Sequence, residues 1–332
     1  MTQHTFFCID GHTAGMPVRM VVGGVPPIAG ENQSERRQAF MREFDWIRQS
    51  LMFEPRGHSV MSGSILLPPI SDDYDMSLIY IETSGCLPMC GHGTIGSVTF
   101  ALEHGLVTPK KTGVVRVETP AGLIEARYQR NENKVTSIRF TNVPSFLLYK
   151  DHEFDCPELG KLKADIAYGG NFYPIIEPQE NFTDASDYSP EDLRRIGVQV
   201  FKQLNEELEI IHPEDSSIRG ARHCMWTGKP TVDGADAKNV VIAGEFLVDR
   251  SPCGTGTSAR VAQRYAKGLL KQGEAFVHES VIGSLFTGRV ENTTRVGDYD
   301  AIFPSIEGQA FVTGLNTIFV DRDNPFANGF ML

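Results

Sequence analysis

The chain has few cysteines, no long apolar run and no excess of positive charge. Six cysteines in 332 residues are too few for disulfides to stabilise a chain of this length. No segment approaches the roughly 20 apolar residues of a membrane helix, and residues 1–11 lack the basic and apolar regions of a signal peptide. Acidic residues (42) outnumber basic residues (31), so the surface field repels nucleic acid and anionic lipid. We therefore expect a cytoplasmic protein that binds neither nucleic acid nor a membrane.

The remaining composition is that of a folded globular chain, with 41% hydrophobic and 22% charged residues and a length that favours two domains. Alternating or continuous apolar patterns predict strands at residues 77–82, 113–118, 123–128, 135–140 and 240–248. Helical spacing of apolar residues predicts helices over residues 34–51 and 190–208. The sequence therefore predicts a mixed α/β fold that is rich in strands.

One short motif, Cys-Gly-x-Gly-Thr, occurs twice, at residues 90–94 and 253–257. Each copy precedes a helical pattern, which ends near His104 in the first case and near Gly273 in the second. The two copies lie about half the chain apart, which indicates two halves built alike. Each half would present a cysteine at the start of a helix, and we expect a site between the halves that receives both.

A thiol at a helix N-terminus is close to the positive end of the helix dipole, which lowers a cysteine pKa from about 8.5 toward neutrality. The backbone N–H groups of the same turns can hold a carboxylate. These groups belong to Gly91, His92, Gly254 and Thr255. With one sulfur on each side of a carbon atom, one thiolate could remove a proton and the opposite thiol could return one. Such a pair would invert the configuration of that carbon.

Two other functions for residues 86–96 stay open at this point. Residues 91–96 fit G-x-G-x-x-G, but an NAD-binding fingerprint also needs a strand that leads directly into the turn and an acidic residue about 20 positions later. Cys86, Cys90 and His92 could form part of a zinc site, although the first half has no further Cys/His pair to complete four ligands. We interpret the remaining cysteines as structural thiols. They are Cys8, Cys86, Cys156 and Cys224.

Residues 89–96 and 249–258 resemble the two catalytic motifs of the proline racemase family, and both motifs are long and specific. Shorter matches extend the resemblance over essentially the whole chain, at residues 10–15, 54–58, 119–122, 142–144, 168–170, 278–280 and 323–326. The resemblance implies an isomerase that uses two thiols, without metal or organic cofactor, on proline or hydroxyproline.

The family also implies a fold of two similar domains like those of diaminopimelate epimerase, with the active site between them. Each domain is a curved, mostly antiparallel sheet around a central helix. We place the first domain at residues 1–128, with a C-terminal segment from about residue 315 to 332 packed back onto it, and the second at residues 129–314. A homodimer is the assembly that the family suggests.

Roles carried over from the family fall on the two motifs. Cys90 and Cys253 would be the acid and base, and Asp249 would pair with the ring ammonium of an imino acid. The substrate carboxylate would be held by the backbone at Gly91, His92, Gly254 and Thr255.

Three positions outside these motifs bear on which ring is bound. Ser62 and Ala243 are small where strict proline racemases have phenylalanine, and His223 could form a hydrogen bond with a ring hydroxyl. Members that dehydrate 3-hydroxyproline have threonine in place of the second cysteine, so Cys253 argues against them. The pocket therefore favours epimerisation of 4-hydroxyproline at C2, between trans-4-hydroxy-L-proline and cis-4-hydroxy-D-proline. Proline racemase and 3-hydroxyproline epimerase or dehydratase are the alternatives.

Overall fold

The computed structural model describes residues 3–331, with only the backbone described at Ser217. The α-helices of this part of the chain are α1 (Gln33–Glu43), α2 (Asp45–Met52), α3 (Gly91–Glu103), α4 (Pro190–Glu207) and α5 (Gly254–Ala266). A short 3₁₀ helix covers Ala185–Asp187. None of the helices described is long and apolar enough to cross a membrane.

Strands make up most of the regular structure. They are, in chain order, β1 (Gln3–Thr13), β2 (Met16–Gly23), β3 (Ser62–Leu67), β4 (Met76–Glu82), β5 (Val114–Thr119), β6 (Gly122–Asn131), β7 (Lys134–Thr141), β8 (Ser145–Cys156), β9 (Gly160–Tyr168), β10 (Phe172–Ile176), β11 (Ile211–His212), β12 (Asp215–Arg219), β13 (His223–Gly228), β14 (Ala237–Ala243), β15 (Leu247–Val248), β16 (Ala275–Glu279), β17 (Leu285–Val296), β18 (Tyr299–Gly308) and β19 (Ala310–Asp321).

The chain divides into two compact units. The first contains the residues up to Phe140 and those from Gly308 onward, and the second contains Thr141–Glu307. The division falls later than residue 128 because β7 pairs with β6 in a hairpin, Ala126 opposite Phe140, and so stays with the first unit. The strand β19 lies in the first unit because it pairs with β1 along its length.

The first unit is built around α3. Its strands follow the order β19-β1-β2-β3-β4-β5-β6-β7, with β2–β3 and β4–β5 parallel and the other pairs antiparallel. The helix α3 contacts β1, β2, β3 and β19, and residues 91–102 are all buried. A helix buried on every side has no solvent face, so the sheet must curve around it.

The second unit repeats this plan around α5. Its strands follow the order β8-β9-β10-β13-β14-β16-β17-β18, and here β10–β13 and β14–β16 are the parallel pairs. The helix α5 contacts β8, β9, β10 and β17. The succession of parallel and antiparallel pairs is the same in both units. When the two strand orders are aligned, β3 corresponds to β13 and β4 corresponds to β14.

Some elements differ from the sequence prediction. The helix predicted over residues 34–51 is interrupted at Phe44, which leaves the helical region. This break lets Phe40 of α1 and Ile47 of α2 pack into one hydrophobic cluster. The helix that starts after Cys253 ends at Ala266, not near Gly273, because Gly268 adopts a left-handed φ of 72° just beyond it.

Close packing of α4 on the sheet gives a stability prediction. A Cβ added at Gly197 would lie 3.0 Å from Trp226 Nε1 and 3.1 Å from Ile242 Cγ1. Gly197→Ala should therefore destabilise the protein by about 1–3 kcal/mol, although the same change in an exposed helix adds about 1 kcal/mol of stability. The urea midpoint measures this. Gly314→Ala, with no atom within 4 Å of the added Cβ, is the control and should change stability by less than about 0.5 kcal/mol. A stabilised Gly197→Ala protein would contradict the packing.

Candidate functional site

Both repeated motifs place their cysteine immediately before a buried helix. Cys90 is the N-cap of α3, with φ −141° and ψ 112°, and its side chain makes no capping hydrogen bond. Cys253 is the N-cap of α5, with φ 65° and ψ 120°. In each motif the threonine N–H donates to the cysteine carbonyl, at 2.9 Å for Thr94 and 2.8 Å for Thr257. The intervening N–H groups have no helical acceptor, so each thiol lies beside donors that can hold an anion.

The second glycine of each motif makes room for the sulfur. A Cβ at Gly93 would lie 3.0 Å from Cys90 Sγ, and a Cβ at Gly256 would lie 3.1 Å from Cys253 Sγ. Neither glycine has a positive φ, so the requirement is steric. The Cys-Gly-x-Gly pattern therefore reflects the volume of a thiol folded back over the first turn of its own helix.

In the first unit, four side chains form what we call the Cys90 cluster: Ser62, Glu82, Cys90 and His92. Cys90 Sγ lies 3.4 Å from Glu82 Oε1 and 3.5 Å from His92 Nδ1. His92 Nε2 lies 3.0 Å from Ser62 Oγ. The Ser62 hydroxyl donates to Glu82 Oε1 at 3.2 Å, so its oxygen is available to accept from His92 Nε2–H. In that tautomer Nδ1 carries no proton, and the sulfur lies beside both ring nitrogens, since it is also 3.9 Å from Nε2.

Glu82 was not among the residues that the sequence predicted for the site. It enters through strand register, since Glu82 lies directly opposite Ser62 in the β3–β4 pair. A tight turn to Gly85 follows, in which Gly85 has a φ of 135°. The available sequence signal was the end of an apolar strand eight residues before Cys90. A strand end alone does not show which side chain of the strand faces Cys90.

The cluster also bears on the two other functions considered for residues 86–96. Glu82, Cys90 and His92 could hold a metal ion, since one ligand atom from each lies within 4.8 Å of the others. Cys86 is outside this set. It packs in the core with Phe40 and Ile47, and burial raises the pKa of its thiol to about 11. An NAD fingerprint does not fit, because residues 83–90 separate β4 from α3.

In the second unit, the Cys253 cluster comprises Tyr173, His223, Ala243, Asp249, Cys253 and Thr255. The Tyr173 hydroxyl lies 3.4 Å from Cys253 Sγ and 2.7 Å from Thr255 Oγ1. Gly256 N–H donates to the same sulfur at 3.4 Å. Tyr173 is a second residue that sequence reasoning missed, and its β10 position next to the Gly169-Gly170 turn was the only local signal.

A chain of hydrogen bonds holds Cys253 in its left-handed backbone conformation. Asp249 Oδ1 accepts from the Ser251 N–H at 2.8 Å and from the Ser251 hydroxyl at 2.9 Å. The Ser251 oxygen in turn accepts from Cys253 N–H at 3.1 Å. A positive φ is costly for a residue with a Cβ and persists where the surroundings enforce it. Asp249 therefore positions Cys253, besides the substrate contact expected from the sequence.

His223 and Ala243, both predicted to line the ring pocket, lie directly opposite each other in the β13–β14 pair. Opposed residues share a face of the sheet, and the His223 ring lies 4.9 Å from the ring of Tyr173, which places that face toward Cys253. His223 Nδ1 is buried and has no hydrogen-bond partner among the described residues. Burial, with a smaller contribution from Arg222, lowers the pKa of His223 to about 4. The ring is therefore neutral, and its Nδ1 is unpaired among the described residues.

The two pairs occupy corresponding places in the two units. Ser62 and Glu82 begin β3 and end β4, as His223 and Ala243 begin β13 and end β14. Each pair therefore lies at the same edge of its sheet, beside the N-terminus of its central helix. The sequence singled out three of these four residues but gave no sign that they are equivalent.

The expectation of a lowered thiol pKa is wrong for Cys253. Burial, followed by the negative charge of Asp249, raises the pKa of Cys253 to about 12. Hydrogen bonds from Tyr173, Gly256 and Thr255 act in the opposite direction without offsetting the loss of solvation. Cys253 therefore carries its proton near neutral pH.

The chain is similar to known proteins over almost its whole length. A family model described as proline racemase matches residues 8–331. A 4-hydroxyproline 2-epimerase of Ancylobacter novellus is 56% identical over 332 residues, which is 100% of both chains. The chain belongs to the proline racemase family. A 4-hydroxyproline 2-epimerase of Brucella anthropi is 56% identical over 334 residues and 99% of both chains.

A solved structure of a family member confirms the predicted fold. It is a hydroxyproline epimerase from Agrobacterium vitis with bound trans-4-hydroxy-L-proline, and it superposes with a TM-score of 0.87 at 29% identity. The match covers 100% of this chain and 96% of that one. The fold of this chain is therefore that of the hydroxyproline epimerase.

The raised pKa of Cys253 predicts how this thiol reacts. In the ligand-free protein its alkylation by iodoacetamide should rise about tenfold per pH unit from about pH 7 to about pH 10, because only the thiolate reacts and its fraction grows below the pKa. Asp249→Asn keeps the hydrogen-bond acceptor but removes the negative charge, so alkylation should be faster at each pH. Mass spectrometry of the Cys253 peptide measures both rates. A plateau below about pH 9, or equal rates in the two proteins, would contradict this electrostatic account.

Proposed function

We propose that this chain is an isomerase that inverts C2 of 4-hydroxyproline, interconverting trans-4-hydroxy-L-proline and cis-4-hydroxy-D-proline. The observation that carries the reaction type is the pair of thiols, Cys90 and Cys253, each at the N-terminus of a buried helix. Family membership and the 4-hydroxyproline 2-epimerases that share 56% of its residues support the substrate.

The proposed reaction is a proton exchange at one carbon. A cysteine thiolate removes the C2 proton from one face, and the electron pair left behind is delocalised into the substrate carboxylate. The other cysteine, as a thiol, donates a proton to the opposite face and becomes the thiolate. Burial and the charge of Asp249 raise the pKa of Cys253, so in one direction we assign it the acid role and Cys90 the base role. The reverse reaction exchanges these roles.

Binding the carboxylate at the helix N-termini lowers the barrier, because N–H dipoles stabilise the negative charge that develops on its oxygens. We assign this to the backbone at Gly91, His92, Gly254 and Thr255. Asp249 takes the ring ammonium. An ammonium at Asp249 would also offset the negative charge that raises the Cys253 pKa, so substrate binding would ease formation of the thiolate there.

The ring hydroxyl is assigned to His223. Its buried Nδ1 has no other partner among the described residues, and a buried polar atom without a partner is costly unless a ligand satisfies it. Ala243, opposite on β14, leaves space beside it. Ser62 has a second role besides its small size, because its hydroxyl contacts both His92 and Glu82.

We further propose that the reaction needs no metal or organic cofactor and takes place in the cytoplasm, with the imino acid as partner and a homodimer as assembly.

The reaction itself is tested with protein treated with chelator and freed of pyridoxal. That protein is incubated with trans-4-hydroxy-L-proline and, separately, with L-proline, and the products are resolved by chiral chromatography. Formation of cis-4-hydroxy-D-proline supports the proposal. Turnover of L-proline alone would identify a proline racemase, and no turnover of either would refute an epimerase.

Both thiols should be essential. Cys90→Ala and Cys253→Ala should each abolish epimerisation, since inversion needs a base on one face of the carbon and an acid on the other. Chiral chromatography of the product measures this. Cys86→Ala and Cys156→Ala, which truncate buried core thiols, are the controls and should cost on the order of 1 kcal/mol of stability while epimerisation continues. Full activity in either motif variant would overturn the assignment.

Substrate preference should depend on His223. Loss of a buried hydrogen bond typically costs about 1–3 kcal/mol, so His223→Ala should reduce the ratio of kcat/KM for 4-hydroxyproline over proline by about 5- to 150-fold. Proline turnover should change less, because proline has no hydroxyl.

Filling the pocket should act in the same direction. Ala243→Phe should exclude the hydroxylated ring by steric overlap. It is a cleaner test than Ser62→Phe, which would also remove the hydroxyl that contacts His92 and Glu82. If wild-type protein turns over both substrates equally and His223→Ala slows both alike, His223 does not recognise the ring hydroxyl.

A further inference from the structure

The Cys90 cluster contains three groups that can bind a metal ion, and proton transfer by Cys90 does not require such a set. A buried thiol, a buried imidazole and a half-buried carboxylate converge within 4.8 Å, and all three come from the first unit. Thiolate, imidazole and carboxylate are the three ligand types that zinc takes in proteins, and three protein ligands with an open fourth position are typical of reactive zinc sites.

Two of the three distances between ligand atoms match tetrahedral coordination, and the third, between Glu82 and His92, is within 4.8 Å. With Zn–S of about 2.3 Å and Zn–N or Zn–O of about 2.0–2.2 Å, two ligand atoms of a tetrahedral site lie about 3.5 Å apart. Cys90 Sγ is 3.5 Å from His92 Nδ1 and 3.4 Å from Glu82 Oε1. Cys90 Sγ also lies 3.9 Å from His92 Nε2, so it lies away from the direction of the Nδ1 lone pair. The imidazole must therefore turn for Nδ1 to share one ion with the thiolate and the carboxylate.

The surroundings of the imidazole fit as well. A metal-bound histidine usually donates its other N–H to a hydrogen-bond acceptor, which fixes the tautomer and the ring orientation. His92 Nε2 lies 3.0 Å from Ser62 Oγ, whose hydroxyl donates to Glu82 Oε1. This leaves Nδ1 without a proton, so its lone pair can bind a metal ion. Two anionic ligands would neutralise a divalent charge in this buried place.

We propose that Glu82, Cys90 and His92 form an inhibitory site for Zn²⁺. Binding replaces the Cys90 S–H proton, which is released to solvent, with an S–Zn bond. The sulfur lone pair that would accept the C2 proton is then engaged by the metal, so the ion blocks turnover. The inhibition, though not the binding, rests on the proposed epimerase function. The Cys253 cluster lacks a corresponding set, because Ala243 takes the place of Glu82.

The binding test uses Co²⁺ on the full-length, chelator-treated protein. Thiolate coordination to Co²⁺ gives a ligand-to-metal charge-transfer band in the near ultraviolet, which reports the bond directly. The band should form in wild type and in Cys253→Ala, the matched control from the same motif, and should be absent in Cys90→Ala. Glu82→Gln, which keeps the shape but removes the charge, and Ser62→Ala should each weaken Co²⁺ binding about 10-fold or more.

Activity supplies the second readout. Zn²⁺ should inhibit wild-type epimerisation, and chelator should restore it. A charge-transfer band that survives Cys90→Ala, or an affinity unchanged in Glu82→Gln, would overturn the site, and so would the absence of any band in wild type. If Co²⁺ binds as expected but metal-free protein turns over no imino acid, the metal site stands and the proposed function fails. If metal-free protein is active but Zn²⁺ at saturation does not inhibit, the inhibitory role fails.

Discussion

A sulfur atom folded over the first turn of a buried helix leaves no volume for a side chain three residues later. This steric constraint acts at Gly93 and Gly256, where an added Cβ would lie 3.0 and 3.1 Å from the two thiols. The sheets of both units are arranged around these two helices. Each helix is enclosed by strands of its own unit, so its first turn lies in a site of reduced solvation, where N–H dipoles act more strongly on a bound anion than they would in water.

The two thiols have different surroundings although the units share one plan. Cys90 contacts a carboxylate and an imidazole, whereas Cys253 contacts a phenol and a threonine hydroxyl and feels the charge of Asp249. One strand plan therefore gives the two thiols different chemical surroundings.

Buried polar groups around Cys253 keep a strained residue in place. His278 is fully buried, and its Nδ1 lies 3.0 Å from Thr257 Oγ1 and 3.3 Å from Asn239 Nδ2. Asn239 also donates to the Pro252 carbonyl at 2.8 Å. Burial keeps the pKa of His278 well below its usual value, so the ring stays neutral and Nδ1 can accept. These contacts stabilise the bend before α5 that gives Cys253 its positive φ, which the local sequence does not favour.

The sequence by itself determined the repeated motif, the thiol pair, the strand-rich two-unit plan and the family, because each depends on local pattern and spacing. It also singled out Ser62, His223 and Ala243. Only the tertiary structure brought in Glu82 and Tyr173. Strand register places Glu82 opposite Ser62, and the packing of α5 on β10 places Tyr173 beside Cys253. Tertiary packing also raised the Cys253 pKa, against the expectation from its place at a helix end. Desolvation depends on everything that surrounds an atom, and a sequence motif specifies only the neighbours along the chain.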